Sequence, residues 1–380
     1  MIYLDNAATT NPKPDTVYDA VDMALRSYSV NAGRGSYSIA REASQAIDNC
    51  KHSILRMAQI TDGYRIFFTP SATHAMNQLI FGLKCDEYTN IYVTPFEHNA
   101  VMRPVHHLCQ KTGCTYLQLP FDRVTWQFSV EEAQSLFARK KPDYIFVSMV
   151  SNTTGYRAPV EEITRLAHSY GAKVIVDCAQ ALGAIDVNLA LVDADAYVFA
   201  GHKTLYGPFG IAGCIVKTGL QIEPYFFGGT GTDSLSLDMP AIDAGRYEPS
   251  SPNITAIMGL NASLAWLNSI GVSAIERREQ SLALKLISSL TACPKVNLFV
   301  PPVAYCTGIV AFSVDGYQAH EVGEIFEEEF AILVRTGYQC APLVHDWLGS
   351  KDNGGVVRAS IGYFNSDEDI ERLIEAVETL

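Results

Sequence analysis

No stretch of this sequence approaches the roughly 20 uninterrupted apolar residues that a membrane-spanning helix needs, although hydrophobic residues make up 48% of it. The opening, Met1-Ile2-Tyr3-Leu4-Asp5-Asn6, lacks the basic and apolar regions of a signal peptide. Positive charge is also short: 28 basic against 41 acidic side chains leave a net charge of −13. That balance argues against nucleic acid as a partner. Cys-x-x-Cys is absent, and the nine cysteines (50, 85, 109, 114, 178, 214, 293, 306 and 340) are irregularly spaced. An odd, scattered set in a long chain argues against a disulfide framework or a zinc site. Repeats and low-complexity tracts are missing too. The expectation is a cytoplasmic protein, with no membrane contact and with mostly buried, reduced thiols.

What is present is length and alternation. A chain of 380 residues suits two domains and can bury a substantial core. From about residue 64 to 216, short β-rich runs alternate with amphipathic stretches. The runs cover 64–69, 91–94, 115–119, 144–149, 173–177, 195–199 and 212–216. Seven such runs predict a mainly parallel sheet with helices on both faces. Most are apolar throughout, as strands covered on both sides require. Between two of them, 159–171 reads as a connecting helix, opened by Pro159 and closed by Gly171. After a loop at 228–253, rich in Gly, Ser, Pro and Asp, the texture changes. A long helical region (about 254–290) leads to strands near 308–314 and 356–361 and helices near 318–329 and 366–379. This predicts a large α/β domain over 15–255 and a smaller α+β domain over 256–380, with residues 1–14 packing on the latter.

The most informative residues are Asp177, which ends the run Lys173-Val174-Ile175-Val176, and Lys203, in Gly201-His202-Lys203 just after Ala196–Ala200. Ends of neighbouring strands in an α/β sheet face a common crevice where ligands bind. A carboxylate and an amine held there are what pyridoxal 5'-phosphate (PLP) requires. The amine carries the aldehyde as a Schiff base, and the carboxylate keeps the pyridine nitrogen protonated, so the ring can draw electrons from a substrate.

Other strand ends add to this. Thr69-Pro70-Ser71-Ala72-Thr73 precedes a helical run beginning near His74, and small residues at a helix N-terminus suit a phosphate. Taken alone, the same residues read more simply as an ordinary N-cap by Ser71 or Thr73. His98, in Glu97-His98-Asn99, can stack on an aromatic cofactor and move protons near neutral pH, or serve structure alone. Asn152 and Gln180 are donors suited to a cofactor's phenolic oxygen or a substrate carboxylate; Asn152 equally suits a turn. Arg358, on the 356–361 strand, fits a bidentate carboxylate contact or a surface salt bridge. In Arg335-Thr336-Gly337-Tyr338-Gln339-Cys340-Ala341, a cysteine after a glycine turn and close to arginine is either an accessible nucleophile or an inert buried thiol. A flexible turn around Gly337 suits the first role.

Taken in order, these strings resemble the class V aminotransferase group of fold-type I PLP enzymes, and specifically the cysteine desulfurases. The resemblance runs nearly end to end. It takes in Tyr3-Leu4-Asp5-Asn6-Ala7-Ala8-Thr9-Thr10, Ser71-Ala72-Thr73, Glu97-His98, Ser151-Asn152, Asp177-x-Ala179-Gln180 and Gly201-His202-Lys203. It continues through Pro252-Asn253, Arg335-x-Gly337-x-x-Cys340-Ala341 and Val357-Arg358-Ala359-Ser360. The form of the cysteine motif is similar to the group containing SufS-type desulfurases and selenocysteine lyases.

The resemblance implies that Lys203 carries PLP and shuttles the Cα proton while Asp177 pairs with the pyridine nitrogen. It has His98 stacked on the ring and acting on substrate protons, and Ala72, Thr73 and His202 holding the phosphate. Gln180 would contact the ring oxygen, with Asn152, Arg335 and Arg358 at the substrate. Cys340 would attack the sulfur of L-cysteine and become a persulfide, leaving alanine and passing the sulfur to an acceptor protein. Ser251 would reach the phosphate of a partner subunit's cofactor, which implies a homodimer. Other reactions of the same fold, a selenocysteine lyase or a cysteine/cystine lyase, and a PLP-binding scaffold without turnover, are the alternatives. Three departures bear on substrate and acceptor: Ala200 where relatives often place a hydroxyl residue, Gly33-Arg34-Gly35-Ser36-Tyr37 where they often have His-Arg-Gly-x-His, and Tyr338 and Gln339 in place of histidines.

Overall fold

The computed structural model describes residues 1–32, 35, 37–231, 235–241 and 244–380; three of the five residues at 33–37 singled out above (33, 34 and 36) lie outside this set. In chain order the first half holds β1 (Ile2–Tyr3), α1 (Asp15–Ser27), α2 (Ser38–Met57), β2 (Tyr64–Thr69), α3 (Ala72–Gly82), β3 (Asn90–Val93), α4 (Asn99–Thr112) and β4 (Thr115–Gln118). Then come α5 (Val130–Arg139), β5 (Tyr144–Ser148), α6 (Val160–Ser169), β6 (Lys173–Asp177), α7 (Leu189–Val192), β7 (Ala196–Ala200) and β8 (Ala212–Lys217). The remainder is α8 (Ile254–Ile270), α9 (Val272–Thr291), β9 (Val296–Leu298), β10 (Ile309–Val314), α10 (Ala319–Phe330), β11 (Ile332–Leu333), β12 (Arg335–Gly337), α11 (Val344–Leu348), β13 (Val356–Ser360) and α12 (Asp367–Thr379).

Seven strands form one sheet in the order β2-β8-β7-β6-β5-β3-β4. All are parallel except β8, which runs antiparallel to both neighbours. Successive side chains of a strand point to opposite faces, and here both faces are covered. Val174 and Val176 of β6, with Tyr197 and Phe199 of β7, enter the core layer that includes α8 residues. Ile175 and Val198 enter the layer formed with α3 and α4. This explains runs that are apolar without alternation. Only β4, at the edge, is largely exposed.

A second, four-stranded antiparallel sheet has the order β12-β13-β10-β9. Its core draws on α9, α10 and α12 and takes in Leu4 from the N-terminal segment. That segment adds the short parallel pair β1–β11. The expected helical region over 254–290 holds two helices, divided at Gly271, which sits at φ +84°, a conformation that suits glycine and stops α8. Among the described residues no helix is long and apolar enough to cross a membrane.

Candidate active site

The cleft opens where β6 and β7 end beside the N-termini of α3 and α4, and the β12 turn and β13 close it from the other sheet. Its volume is about 220 Å³, the scale of a small ligand. Of the residues singled out from the sequence, Ala72, Thr73, His98, Asn152, Asp177 and Gln180 line it. So do His202, Lys203, Arg335, Cys340 and Arg358. Ser251 does not: it is exposed, and its hydroxyl accepts from Asn31 Nδ2 at 3.3 Å.

Asp177 and Lys203 share one electrostatic environment. Burial raises the Asp177 carboxyl above its usual range, opposed by the Ala179 N–H at 2.9 Å and by the Lys203 charge. Burial also lowers the Lys203 amine, with Asp177 opposing and Arg358 and Arg335 adding to the shift. A cluster of cationic groups thus sits in a pocket of an acidic protein, an arrangement that attracts anionic ligands.

Ser71 is the N-cap of α3, its hydroxyl accepting from His74 N at 3.3 Å. The helix's first bond back to the Ser71 carbonyl comes from Ala75, so the amides of Ala72 and Thr73 are left among the orphan donors of the first turn. The cap and the anion site are therefore compatible.

His98 caps α4, accepting the Ala100 N–H at Nδ1 (2.9 Å). Burial, then Lys203 and the nearby arginines, push it down to about 3, so the ring is neutral. A neutral imidazole that accepts at Nδ1 carries its proton on Nε2, and faces the cleft as a donor. His202 is lowered to about 4, mainly by burial, and stacks on Phe209 at 4.4 Å.

Two partners restrict the polar side chains. Gln180 Nε2 donates to the Ala7 carbonyl at 2.7 Å, and Asn152 Nδ2 to the Gln339 carbonyl at 2.6 Å. Arg358 is 1% exposed, not on the surface. It pairs with Asp5 and donates from its second terminal nitrogen to the Asn152 carbonyl at 2.8 Å. Cys340 is exposed, with an Arg335 terminal nitrogen 3.9 Å from its sulfur. The inert-thiol alternative does not fit that exposure.

Three residues carry weight here that their sequence context did not announce. Glu97 is wholly buried and accepts from Thr94 Oγ1 (2.6 Å), Ser148 N (2.7 Å) and Ser148 Oγ (3.0 Å). It fastens the ends of β3 and β5 under His98, and burial pushes it up to about 7. Lys13 Nζ donates to Thr10 Oγ1 (2.6 Å) and the His202 carbonyl (2.7 Å), and burial lowers it to about 7. Asp5 holds Arg358. A buried carboxylate beside a chemically suggestive histidine was the one available signal, for Glu97.

A cofactor such as PLP fits this donor set on the structure's own terms. His202 Nδ1 and Asn152 Oδ1 are buried with no hydrogen-bond partner, a costly state that a ligand relieves. The α3 amides suit its phosphate, Asp177 its ring nitrogen and Lys203 its aldehyde.

Comparison with known proteins identifies the family. The model of the aminotransferase class-V family matches residues 2–373. The chain is 30% identical over 382 residues to the cysteine desulfurase of Salmonella agona, covering 98% of this chain and 92% of the relative. Among solved structures, it superposes on the apo cysteine desulfurase of Thermococcus onnurineus with a TM-score of 0.91 at 29% identity, covering 100% of this chain and 94% of that one. The cysteine desulfurase CsdA of Escherichia coli gives 0.88 at 25% identity, covering 99% and 94%. With a match over almost its entire length, the chain belongs to the aminotransferase class-V family.

Proposed function

We propose that this protein is a PLP-dependent desulfurase that converts L-cysteine to L-alanine and retains the sulfur as a persulfide on Cys340. The observation that carries the reading is an exposed thiol in the same cleft as a lysine with a lowered amine pKa and a buried aspartate. Bound PLP would supply an electron sink for the substrate's Cα.

The chain's own residues do the rest. Lys203 Nζ, disposed by burial towards its neutral form, takes and returns the Cα proton. Asp177 offers a carboxylate to a protonated ring nitrogen. His98 presents a flat face and an Nε2 proton. Arg358, fixed by Asp5, and Arg335 attract the substrate carboxylate. The Cys340 thiolate attacks the substrate sulfur: an S–S bond forms and the Cβ–S bond breaks. The electron pair of that bond passes to the carbon fragment, which is protonated to alanine. One cysteine plus one enzyme thiol become one alanine plus one enzyme persulfide, with no external oxidant. An acceptor protein then removes the sulfane sulfur.

A homodimer completes the reading. Phe209, stacked on the cleft residue His202, and Phe227, Leu235 and Leu237, in the segment that leads to Ser250–Ser251, are 65%, 75%, 98% and 105% exposed, apolar surface that association would cover. Ser251 would then serve the partner's phosphate site. The division into a large domain (15–255) and a small domain (256–380, with 1–14 against it), and a cytoplasmic location, belong to the same proposal. The test is to supply PLP and L-cysteine and measure alanine and, with reductant, sulfide. Alanine and sulfide in equal amounts support the reading. Turnover of L-selenocysteine with none of L-cysteine assigns the lyase instead.

A further inference from the structure

The turn bearing Cys340 has an unusual backbone. Gly337 lies at φ +95°, and two residues with side chains follow in left-handed conformations, Gln339 at +50° and Cys340 at +56°. Left-handed backbone is disfavoured for residues with a Cβ, so something must hold them. Strain of this kind persists only where the surroundings over-determine it.

Gln339 supplies the hold from below. It is 4% exposed, and its Nε2 donates to the carbonyls of Arg335 (3.2 Å), Gly337 (3.4 Å) and, on the adjacent strand β13, Val356 (3.4 Å). Its Oε1 is buried without a partner, so the carboxamide holds the turn through its donor side. Backbone carbonyls hold the turn from above. Gln339 O accepts from Asn152 Nδ2 at 2.6 Å, and Cys340 O from Asn99 N, the first residue of α4, at 2.7 Å. Gly355 allows the close approach of β13: a Cβ there would lie 2.4 Å from the Gly337 carbonyl. The turn is thus tied to the second sheet through Gln339 and to the large sheet through two carbonyls.

We infer that Gln339 is a positioning residue for sulfur transfer, its buried carboxamide fixing the left-handed turn that sets the Cys340 thiol over the cleft. The inference rests on the desulfurase reading above. It predicts that the side chain acts in the sulfur-transfer step rather than in substrate capture. A donor is needed at this position. Gln339→Ala removes it, and Gln339→Glu keeps the shape but turns an acceptor towards three carbonyls. Gln339→His restores an N–H.

The test compares these variants with the wild type as PLP-loaded enzymes. Gln339→Ala and Gln339→Glu should lose about 10- to 100-fold in kcat for alanine formation, the cost of a small misplacement of a reacting group, with KM within about 3-fold. Gln339→His should recover most of the loss. Without substrate, hydrogen exchange over 335–343 and iodoacetamide labelling of Cys340 should change in the two disabled variants while exchange elsewhere and Tm stay as in wild type. Wild-type kcat together with wild-type exchange in Gln339→Ala overturns the inference. So does a loss accompanied by faster exchange throughout the protein, or one that histidine does not repair. Wild-type enzyme that makes no alanine from L-cysteine overturns the desulfurase reading itself, a result distinct from active wild type with unaltered variants.

Discussion

The two sides of the cleft are built in different ways. On the large-sheet side, Asp177 and Lys203 sit at or just beyond the ends of strands that are buried except at Lys173, and their positions follow from the sheet. On the other side, Cys340 follows a three-residue, half-buried strand and lies in a left-handed turn held by groups far away in sequence. Chemistry that needs a fixed amine and carboxylate is placed on rigid strand ends. The nucleophile, which must meet substrate and then an acceptor, is placed on an exposed turn whose geometry is enforced from both sides. The cofactor half is a property of the sheet, and the sulfur half a property of contacts between sheets.

That contrast is sharpest at the two nucleophiles. Lys203→Ala should reduce alanine formation by on the order of 10⁴-fold through loss of its acid–base role, and borohydride should no longer fix PLP to the protein. A persistent reducible adduct assigns another lysine. Cys340→Ala should leave PLP binding intact, yet lower L-cysteine turnover by about 10³-fold. Unchanged turnover removes Cys340 from the mechanism. Retained selenocysteine cleavage in this variant limits the thiol to discriminating sulfur from selenium.

The large-sheet side should also be the acid-sensitive one. His98 and His202 are depressed from 6.5 to about 3 and about 4. Each therefore adds stability that is present above pH 6.5 and is lost as the pH falls towards its folded value. Glu97, raised to about 7, acts in the opposite sense, its contribution being lost as pH rises from about 4.5 through 7. Glu279, buried in α9 and raised to about 8, adds to Glu97 in that sense. Histidine and carboxyl contributions therefore oppose each other in the whole protein, and the histidine share is read by difference: the urea midpoint of the PLP-free wild type relative to that of His98→Gln should fall between pH 6.5 and 4. A difference that stays constant or rises on acidification contradicts the depressed His98.

Two smaller changes separate backbone from side-chain effects. Gly337→Ala meets no neighbouring atom within 4 Å of the new Cβ, so its cost is the left-handed backbone alone, about 1–2 kcal/mol in denaturant unfolding. Gly355→Ala adds a clash with Gly337 and should cost more; equal costs contradict the close approach. At the far end, Ala200→Ser, on a buried residue lining the cleft, should tighten PLP retention slightly or leave it unchanged. Clear cofactor loss with the fold intact would mean that the phosphate lies elsewhere.

Legibility follows the same division. The strands of the large sheet other than the exposed edge strand β4 were readable because burial on both faces removes alternation and leaves largely apolar runs between turn signals. The residues beyond those strands were readable for the same reason. Helices α1 and α2 gave no comparable signal: they bury mainly small or isolated residues, Val17 and Ala24 in one, Ala40, Ala43, Cys50 and Ile54 in the other. Strands β1, β11 and β12, of two or three residues, are too short for any period. Cys340 was visible as a motif, but its setting was not. Asn152 lies 187 residues from the Gln339 carbonyl it holds, and Asp5 lies 353 from Arg358. Local pattern carries no trace of such pairs.

The central claim is that one cleft joins a cofactor-binding strand-end pair to a sulfur-accepting cysteine. The most direct measurement is mass spectrometry of the PLP-loaded wild-type protein after L-cysteine without reductant, with alanine quantified in parallel. One added sulfur atom on the peptide containing Cys340 and one alanine per loaded site are expected. Alanine formed with no sulfur on Cys340, or sulfur carried by another cysteine, would contradict the claim.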